Sequence, residues 1–230
     1  MIAENIKNIR ENVARTCFRI GRDPQSVELV AVSKTFGIDN IAEALSAGQL
    51  DFGENYVQEL VAKRNALAEK PIRWHLIGHL QSNKVKYIVE WIHLIHSVDS
   101  ESIAQEIQKR AANCNRIVDV LVEINTSEEA TKFGVKPSVV MDLLKRISNL
   151  PNVRLKGLMT IGPFTEDKDQ SRKAFKTLKE IFDQANAGNV LREPMTILSM
   201  GMTHDYDIAI EEGATMIRIG TAIFGSRTQQ

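Results

Sequence analysis

The sequence has little with which to staple, anchor or partition itself. Only two cysteines, Cys17 and Cys114, occur in 230 residues. They lie far apart and outside any CxxC spacing, so neither a disulfide framework nor a cysteine-based zinc site is suggested. No apolar run approaches the length that crosses a bilayer. The start, Met1-Ile2-Ala3-Glu4-Asn5, lacks both the basic segment and the apolar core of a secretory leader. An excess of one charge is missing too, with 29 basic residues against 29 acidic ones. A general binder of nucleic acid or membrane surfaces usually carries a basic excess or face, so neither role is favoured. No low-complexity tract, linker or charge block divides the chain, and one domain spanning 1–230 is expected. Its hydrophobic share of 43% is enough to bury a full core without staples. The expected compartment is the cytoplasm.

What is present starts at Val27-Glu28-Leu29-Val30-Ala31-Val32-Ser33-Lys34-Thr35. The valine-rich run reads as a buried parallel strand. A lysine then arrives at its carboxyl end with a hydroxyl on each side. Lysine is costly to bury. At the rim of a closed apolar core it is partly desolvated, which lowers its pKa toward the nucleophilic free base. Such an amine suits a Schiff base with an aldehyde or ketone. A lysine just past an arbitrary strand is more often a solvated loop residue, and the rest of the chain decides against that.

Apolar residues at Ile2, Ile6, Ile9, Val13, Cys17 and Ile20 recur in steps of three and four, one face of a helix closed by Gly21 and Pro24. Strand and helix patterns then alternate. Helices are expected over 38–47, 56–69, a stretch reaching about residue 91, 101–113, 137–150, 167–187 and 204–212. Strands are expected over 50–54, 72–80, 94–98, 116–125, 153–161, 195–200 and 215–219. A loop containing Lys132-Phe133-Gly134 follows the fifth strand, and 221–227 reads as a last short helix. Eight strand-then-helix units predict an α/β fold, a single (β/α)8 TIM barrel, with the amino-terminal helix as an added element. No GxGxxG opens a helix, which disfavours an open doubly wound sheet.

In such a barrel the chemistry sits at the carboxyl ends of the strands. Those ends are Lys34, Asn55, His79, Asp99, Asn125, Met159, Ser199 and Arg218, whereas the opposite turns hold Gly48, Pro71 and Pro151. Ser199-Met200-Gly201-Met202-Thr203 closes the seventh strand and Arg218-Ile219-Gly220-Thr221 the eighth. Barrels frequently bind phosphate there, on backbone N–H groups and the amino end of a short helix. Glycine permits close approach, and Ser199, Thr203 and Thr221 add hydroxyls. Either turn alone is weak evidence of a phosphate cup; side by side they favour one. A Schiff-base lysine facing such a cup fits pyridoxal 5'-phosphate (PLP). Arg218 shares the parity of Gly220 and is placed to face the ring nitrogen. A guanidinium cannot give up its proton, so it holds that nitrogen unprotonated. The ring is then a weaker electron sink than with the aspartate partner of most PLP enzymes.

A wider set of segments carries a resemblance: Ala31-Val32-Ser33-Lys34-Thr35, Phe52-Gly53-Glu54-Asn55-Tyr56-Val57-Gln58-Glu59, Trp74-His75-Leu76-Ile77-Gly78-His79-Leu80-Gln81-Ser82-Asn83-Lys84, Gly157-Leu158-Met159, Leu198-Ser199-Met200-Gly201-Met202 and Ile217 to Gly225. Over essentially its whole length the sequence resembles the PLP homeostasis (PLP-binding) proteins, the alanine racemase N-terminal-like barrels. The resemblance implies a single barrel of the alanine racemase N-terminal type, with Lys34 carrying PLP as a Schiff base. It implies a role in intracellular PLP (vitamin B6) and amino-acid homeostasis, with no established catalytic reaction and no metal. By position it implies Ser199, Gly201, Gly220 and Thr221 for the phosphate cup, Arg218 for the ring nitrogen, and Asn55 and Met159 for the cofactor's surroundings. The family usually has serine at position 203 and a residue other than histidine at 204; Thr203 keeps the hydroxyl. PLP and PLP-requiring apo-enzymes are the expected partners, without nucleic acid or membrane, and the expected state is a monomer.

Two other functions compete. A PLP-dependent racemase needs a base on each face of its substrate, and the related racemases take a tyrosine from a second, β-rich domain of a partner subunit. The sequence ends at Gln230, straight after the barrel, and Tyr56, Tyr87 and Tyr206 fall at no predicted strand end, so only weak racemisation is expected. A class I aldolase would use Lys34 without PLP. His75 and His79 are four apart, which on a strand makes no metal pair, and packed or hydrogen-bonded histidines are expected there and at His93 and His96. Met200 and Met202 read as core or pocket lining. Asp99 reads as a helix cap beside Ser100, and 166–173 as a solvated helix start.

Overall fold

Near-continuous apolar runs rich in valine, isoleucine and leucine favour strands buried on both faces. In the computed structural model eight such strands, among the described residues, pair in parallel: β1 (Glu28–Val32), β2 (Asp51–Glu54), β3 (Arg73–Leu76), β4 (Leu94–Val98), β5 (Val118–Glu123), β6 (Val153–Met159), β7 (Ile197–Ser199) and β8 (Met216–Ile219). Each pairs with the next, and β8 closes on β1. The helices are α1 (Ile2–Arg19), α2 (Ile38–Ser46), α3 (Val57–Ala66), α4 (Glu101–Asn113), α5 (Val140–Ser148), α6 (Lys168–Ala187), α7 (Tyr206–Glu211) and α8 (Thr221–Phe224). The α1 helix packs outside the repeat against α2, α7 and α8. Its start is tied down where the Ile2 N–H donates to Glu43 Oε1 at 2.8 Å and Asn5 Nδ2 donates to the Ile223 carbonyl at 2.8 Å. The structure describes residues 1–127, 133–165, 167–188 and 190–225. Expectations at Lys132, at Glu166 and over 226–230, including the end of the last helix and Gln230, lie outside the described residues.

The sequence predicts a helix reaching about residue 91, and a 3-10 helix, Ser82–Tyr87, forms instead. Only Val85 within it is buried, so no stripe at three-and-four spacing supports a longer α-helix. The helix expected from residue 137 likewise begins as a 3-10 turn, Pro137–Val139. Several strands stop short of their apolar runs because the ladder ends where the mouth loops begin. Ser100 caps α4, its Oγ accepting from the Ile103 N–H, and Asp99 pairs with His79 instead.

Side chains alternate across each strand, and the two faces carry two cores. The larger lies between strands and helices. Inside the barrel a separate cluster joins Val30, Leu94, Leu121, Met159 and Met216. Gly53 shares that face, since a Cβ there would lie 3.1 Å from Val30 and 3.3 Å from Ile77. His75, His96, Ser199 and Arg218 share it too and hydrogen-bond to one another across the interior. The same parity, continued past the strand ends, carries Lys34, Asn55, His79, Asn125, Gly201 and Gly220 to the mouth.

One irregularity fixes how β6 meets β7. Val120 opposes Leu155 while Leu121 opposes Gly157, so Lys156 is extra, a β-bulge. The bulge presses Gly157 onto β7, where a Cβ would lie 1.8 Å from the Ile197 carbonyl oxygen. Glycine is required at such a backbone approach. Gly157→Ala is expected to cost about 3 kcal/mol or more of stability, read by urea unfolding. A loss under about 1 kcal/mol would mean that the β6–β7 pair gives way freely.

Candidate functional site

Lys34 stands two residues past β1, half-buried at the barrel mouth, and both of its neighbours are fixed. Ser33 is buried; its N–H donates to the Gly53 carbonyl at 3.1 Å and its Oγ to Glu54 Oε1 at 2.6 Å. The Thr35 N–H donates to Glu59 Oε1 at 2.7 Å, and Thr35 has φ 71. That left-handed conformation is strained for a β-branched residue. Lys63 of α3 joins the two sides. Its Nζ donates to the Ser33 carbonyl at 2.7 Å, to Glu54 Oε1 at 2.8 Å and to Glu59 Oε1 at 2.7 Å. All three donors of an ammonium are thereby used. Lys63 is only 6% exposed and Glu54 is fully buried. Burial pushes the Glu54 carboxyl above the usual glutamate range, opposed by Lys63 and Ser33.

Asn55 follows Glu54 at the mouth, and its Oδ1 is buried without a hydrogen-bond partner among the described residues, as is Glu54 Oε2. Such an atom in a native fold calls for an explanation. Its backbone is backed by Gly78, where a Cβ would lie 2.4 Å from the Asn55 carbonyl oxygen. His79 Nδ1 lies 3.2 Å from Asp99 Oδ2, and the ring stacks on Phe133 at 4.3 Å. The Asn125 N–H donates to the Val135 carbonyl at 3.0 Å. Met159 is buried in the inner core below.

The turns after β7 and β8 lie side by side. Gly201 has φ 92, and a Cβ there would lie 2.6 Å from that of Ala209, so this turn requires glycine. Gly220 caps the amino end of α8. The Thr221 hydroxyl donates to that of Thr203 at 3.2 Å on the exposed side. Ser199 lies deeper than Thr203, Gly220 and Thr221, the residues expected with it in a phosphate cup. It is fully buried, and its Oγ accepts from Arg218 Nη1 at 2.6 Å and lies 3.0 Å from His96 Nδ1.

Arg218 is 4% exposed, and its Nη2 donates to the Thr160 carbonyl at 2.8 Å. Burial lowers its pKa to about 10, opposed by Glu123 and Asp205, so it is charged at neutral pH. Below it, His75 Nδ1 lies 2.9 Å from His96 Nε2, and His75 Nε2 lies 3.1 Å from Asp51 Oδ1. Burial holds both imidazoles below the usual histidine range. Burial also pushes the Asp51 carboxyl up, but Arg73 and His75 outweigh it and hold the group at about 2. Asp51, His75 and His93 bring ligand atoms within 4.8 Å of one another, with the Arg73 fork already seated on the carboxylate.

Glu123, at the end of β5, is absent from the residues that sequence patterns single out. It shares the inward parity of Leu121, two residues before Asn125, and that alternation is the signal that finds it. Burial and the nearby Asp99 raise its pKa to about 7, opposed by Arg218. In the unfolded chain it titrates near the ordinary glutamate value. A raised folded value favours the protonated native state, so this contribution is complete below pH 4.5 and is lost as pH rises through 7. Glu123→Gln mimics the protonated form. Urea unfolding is expected to show a small advantage for the variant at pH 5, widening to about 3 kcal/mol at pH 8. An advantage that does not grow with pH would contradict the buried carboxyl as its cause.

Residues 5–228 match the family described as alanine racemase, N-terminal domain. The pyridoxal phosphate homeostasis protein of Aquifex aeolicus (strain VF5) is 43% identical over 224 residues, which cover 97% of each chain. That of Escherichia coli (strain K12) is 39% identical over 231 residues, covering 98% of this chain and 97% of its own. The structure of PipY from Synechococcus elongatus PCC7942 superposes with a TM-score of 0.87 without PLP and 0.86 with PLP bound. Identity to those two is 36% and 35%, over 98% of this chain and 100% of PipY. Alanine racemase from Corynebacterium glutamicum shares the fold, with a TM-score of 0.75 at 14% identity over 98% of this chain and 61% of its own. A closed barrel matched along nearly its whole length by these relatives leaves one assignment: the chain belongs to the alanine racemase N-terminal domain family, among its pyridoxal phosphate homeostasis proteins.

Proposed function

We propose that the chain binds PLP at the barrel mouth as a Schiff base on Lys34, and serves PLP and amino-acid homeostasis rather than catalytic turnover. The observation that carries this is Lys34 at the mouth, its backbone clamped on both sides by Lys63 and Glu59, on the same inward parity as Arg218. PipY, similar along its whole length, has been solved with PLP bound. The residues present fit the group, because Asn55 Oδ1 is a buried acceptor left open beside Lys34. When bound, PLP supplies an aldehyde that joins an amine and a ring that draws electrons.

The chain's own residues then divide the work. Gly201, Gly220, Thr203 and Thr221 form the phosphate cup, where two glycines admit close approach and two hydroxyls already meet. Met159 floors the site. Ser199 acts through Arg218, whose Nη1 donates to its oxygen. Arg218, charged at neutral pH, would face the ring nitrogen and, as a donor only, would keep it an acceptor. That disfavours loss of a proton from a bound amino acid, which suits holding PLP over using it. The same reading has the protein act as a monomer in the cytoplasm, passing PLP to apo-enzymes that require it. Two cysteines without a disulfide suit a reducing compartment. Among the described residues no helix is long and apolar enough to cross a membrane.

Absorbance on adding PLP tests the lysine. Wild type is expected to develop a Schiff-base band that borohydride abolishes, and Lys34→Ala to lack the band while still retaining PLP through the cup. An unchanged, reducible band in Lys34→Ala would place the Schiff base on another amine.

A further inference from the structure

We propose that Asp51, His75, His96 and Ser199 form a one-way hydrogen-bond chain through the barrel, which orients the Arg218 guanidinium from the opposite end of the fold. Asp51 is the first residue of β2, His75 and His96 lie midway along β3 and β4, Ser199 ends β7, and Arg218 is the third residue of β8. The links climb in order at 3.1 Å (Asp51 to His75), 2.9 Å (His75 to His96), 3.0 Å (His96 to Ser199) and 2.6 Å (Ser199 to Arg218). His75, His96 and Ser199 are wholly buried.

The direction follows from which groups are able to donate. An ionised carboxylate only accepts and a guanidinium only donates. A neutral imidazole has one N–H and one bare nitrogen. Asp51 therefore requires the His75 proton on Nε2, which leaves His75 Nδ1 bare. His96 must then donate from Nε2, which leaves its Nδ1 bare, so the Ser199 hydroxyl donates to His96. The lone pairs of Ser199 are left facing Arg218. Each link has a single proton arrangement, set by Asp51. Reversal would need a proton on Asp51, which the Arg73 fork opposes, with Nε 2.6 Å from Oδ1 and Nη2 2.5 Å from Oδ2, or an imidazolium at His75, which its complete burial opposes.

Buried polar groups that only satisfy one another need no common direction. Here the direction ends on the one guanidinium in the barrel interior among the described residues, and it fills an acceptor that Arg218 needs alongside the Thr160 carbonyl. Asp51, His75 and His96 are thus positioning residues for Arg218. The consequence for a bound cofactor rests on the proposed role of Arg218, whereas the chain itself stands on the geometry without PLP.

In PLP-free protein at pH 7.5, nitrogen-15 NMR of the imidazoles is expected to show His75 and His96 neutral with the proton on Nε2. A proton on Nδ1 of either, or an imidazolium, would overturn the chain. Arg218 hydrogen exchange then reads the positioning. His96→Leu is expected to speed exchange of the guanidinium protons about fivefold, the size of one net hydrogen bond. His96→Gln, which keeps a donor and an acceptor, should hold the wild-type rate. Equal rates in wild type and His96→Leu would overturn the positioning role. Should His96→Leu fail to fold, Ser199→Ala, which removes the acceptor alone, is read in the same way.

Discussion

One buried ammonium fixes the backbone on either side of Lys34. Lys63 reaches from α3 into the β1–β2 corner and takes a main-chain carbonyl and two carboxylates at once. A buried ion pair is weak as a source of net stability, yet losing one partner is expensive because the other charge is left bare. Its value lies in what it forbids. With Ser33 held through its carbonyl and Thr35 through Glu59, the backbone that carries Lys34 has little room to move. The unfavourable φ of Thr35 is held by that same network. Strain of this kind gathers where a side chain must be aimed, and here it adjoins the proposed attachment point.

A second buried cation lies inside the barrel on β8, the strand that neighbours β1. Arg218 makes its hydrogen bonds to neutral partners, Ser199 and Thr160, with Glu123 and Asp205 near enough to act by charge. A directly paired carboxylate would neutralise the guanidinium. Neutral acceptors leave its charge available to a ligand while satisfying its donors, at the cost of a lowered pKa. The two cations thus do different jobs with the same physics. Lys63 is saturated and structural, and Arg218 is oriented and charged.

Much of this was legible in the sequence because two periods are local. Alternating strand and helix patterns gave the barrel, and strand parity carried Lys34, Asn55, Gly201, Arg218 and Gly220 to one end. What depends on register between strands was not legible. His75 and His96 read singly as packed histidines, and nothing local shows that they meet at 2.9 Å or that Ser199 lies above them. Lys63 and Glu59 look like a surface pair four residues apart on a helix; only the fold brings Glu54 and Ser33 to the same ammonium. The bulge at Lys156 and the short 3-10 turn at Ser82–Tyr87 were hidden for the same reason, since packing against neighbours set them.

The central claim is that this barrel holds PLP through Lys34, and the most direct measurement is a peptide map. Wild-type protein loaded with PLP is reduced with borohydride, digested and analysed by mass spectrometry. The account predicts a pyridoxyl-phosphate adduct on the peptide containing Lys34, at that residue. An adduct confined to another lysine, or none in protein that retains PLP, would contradict it.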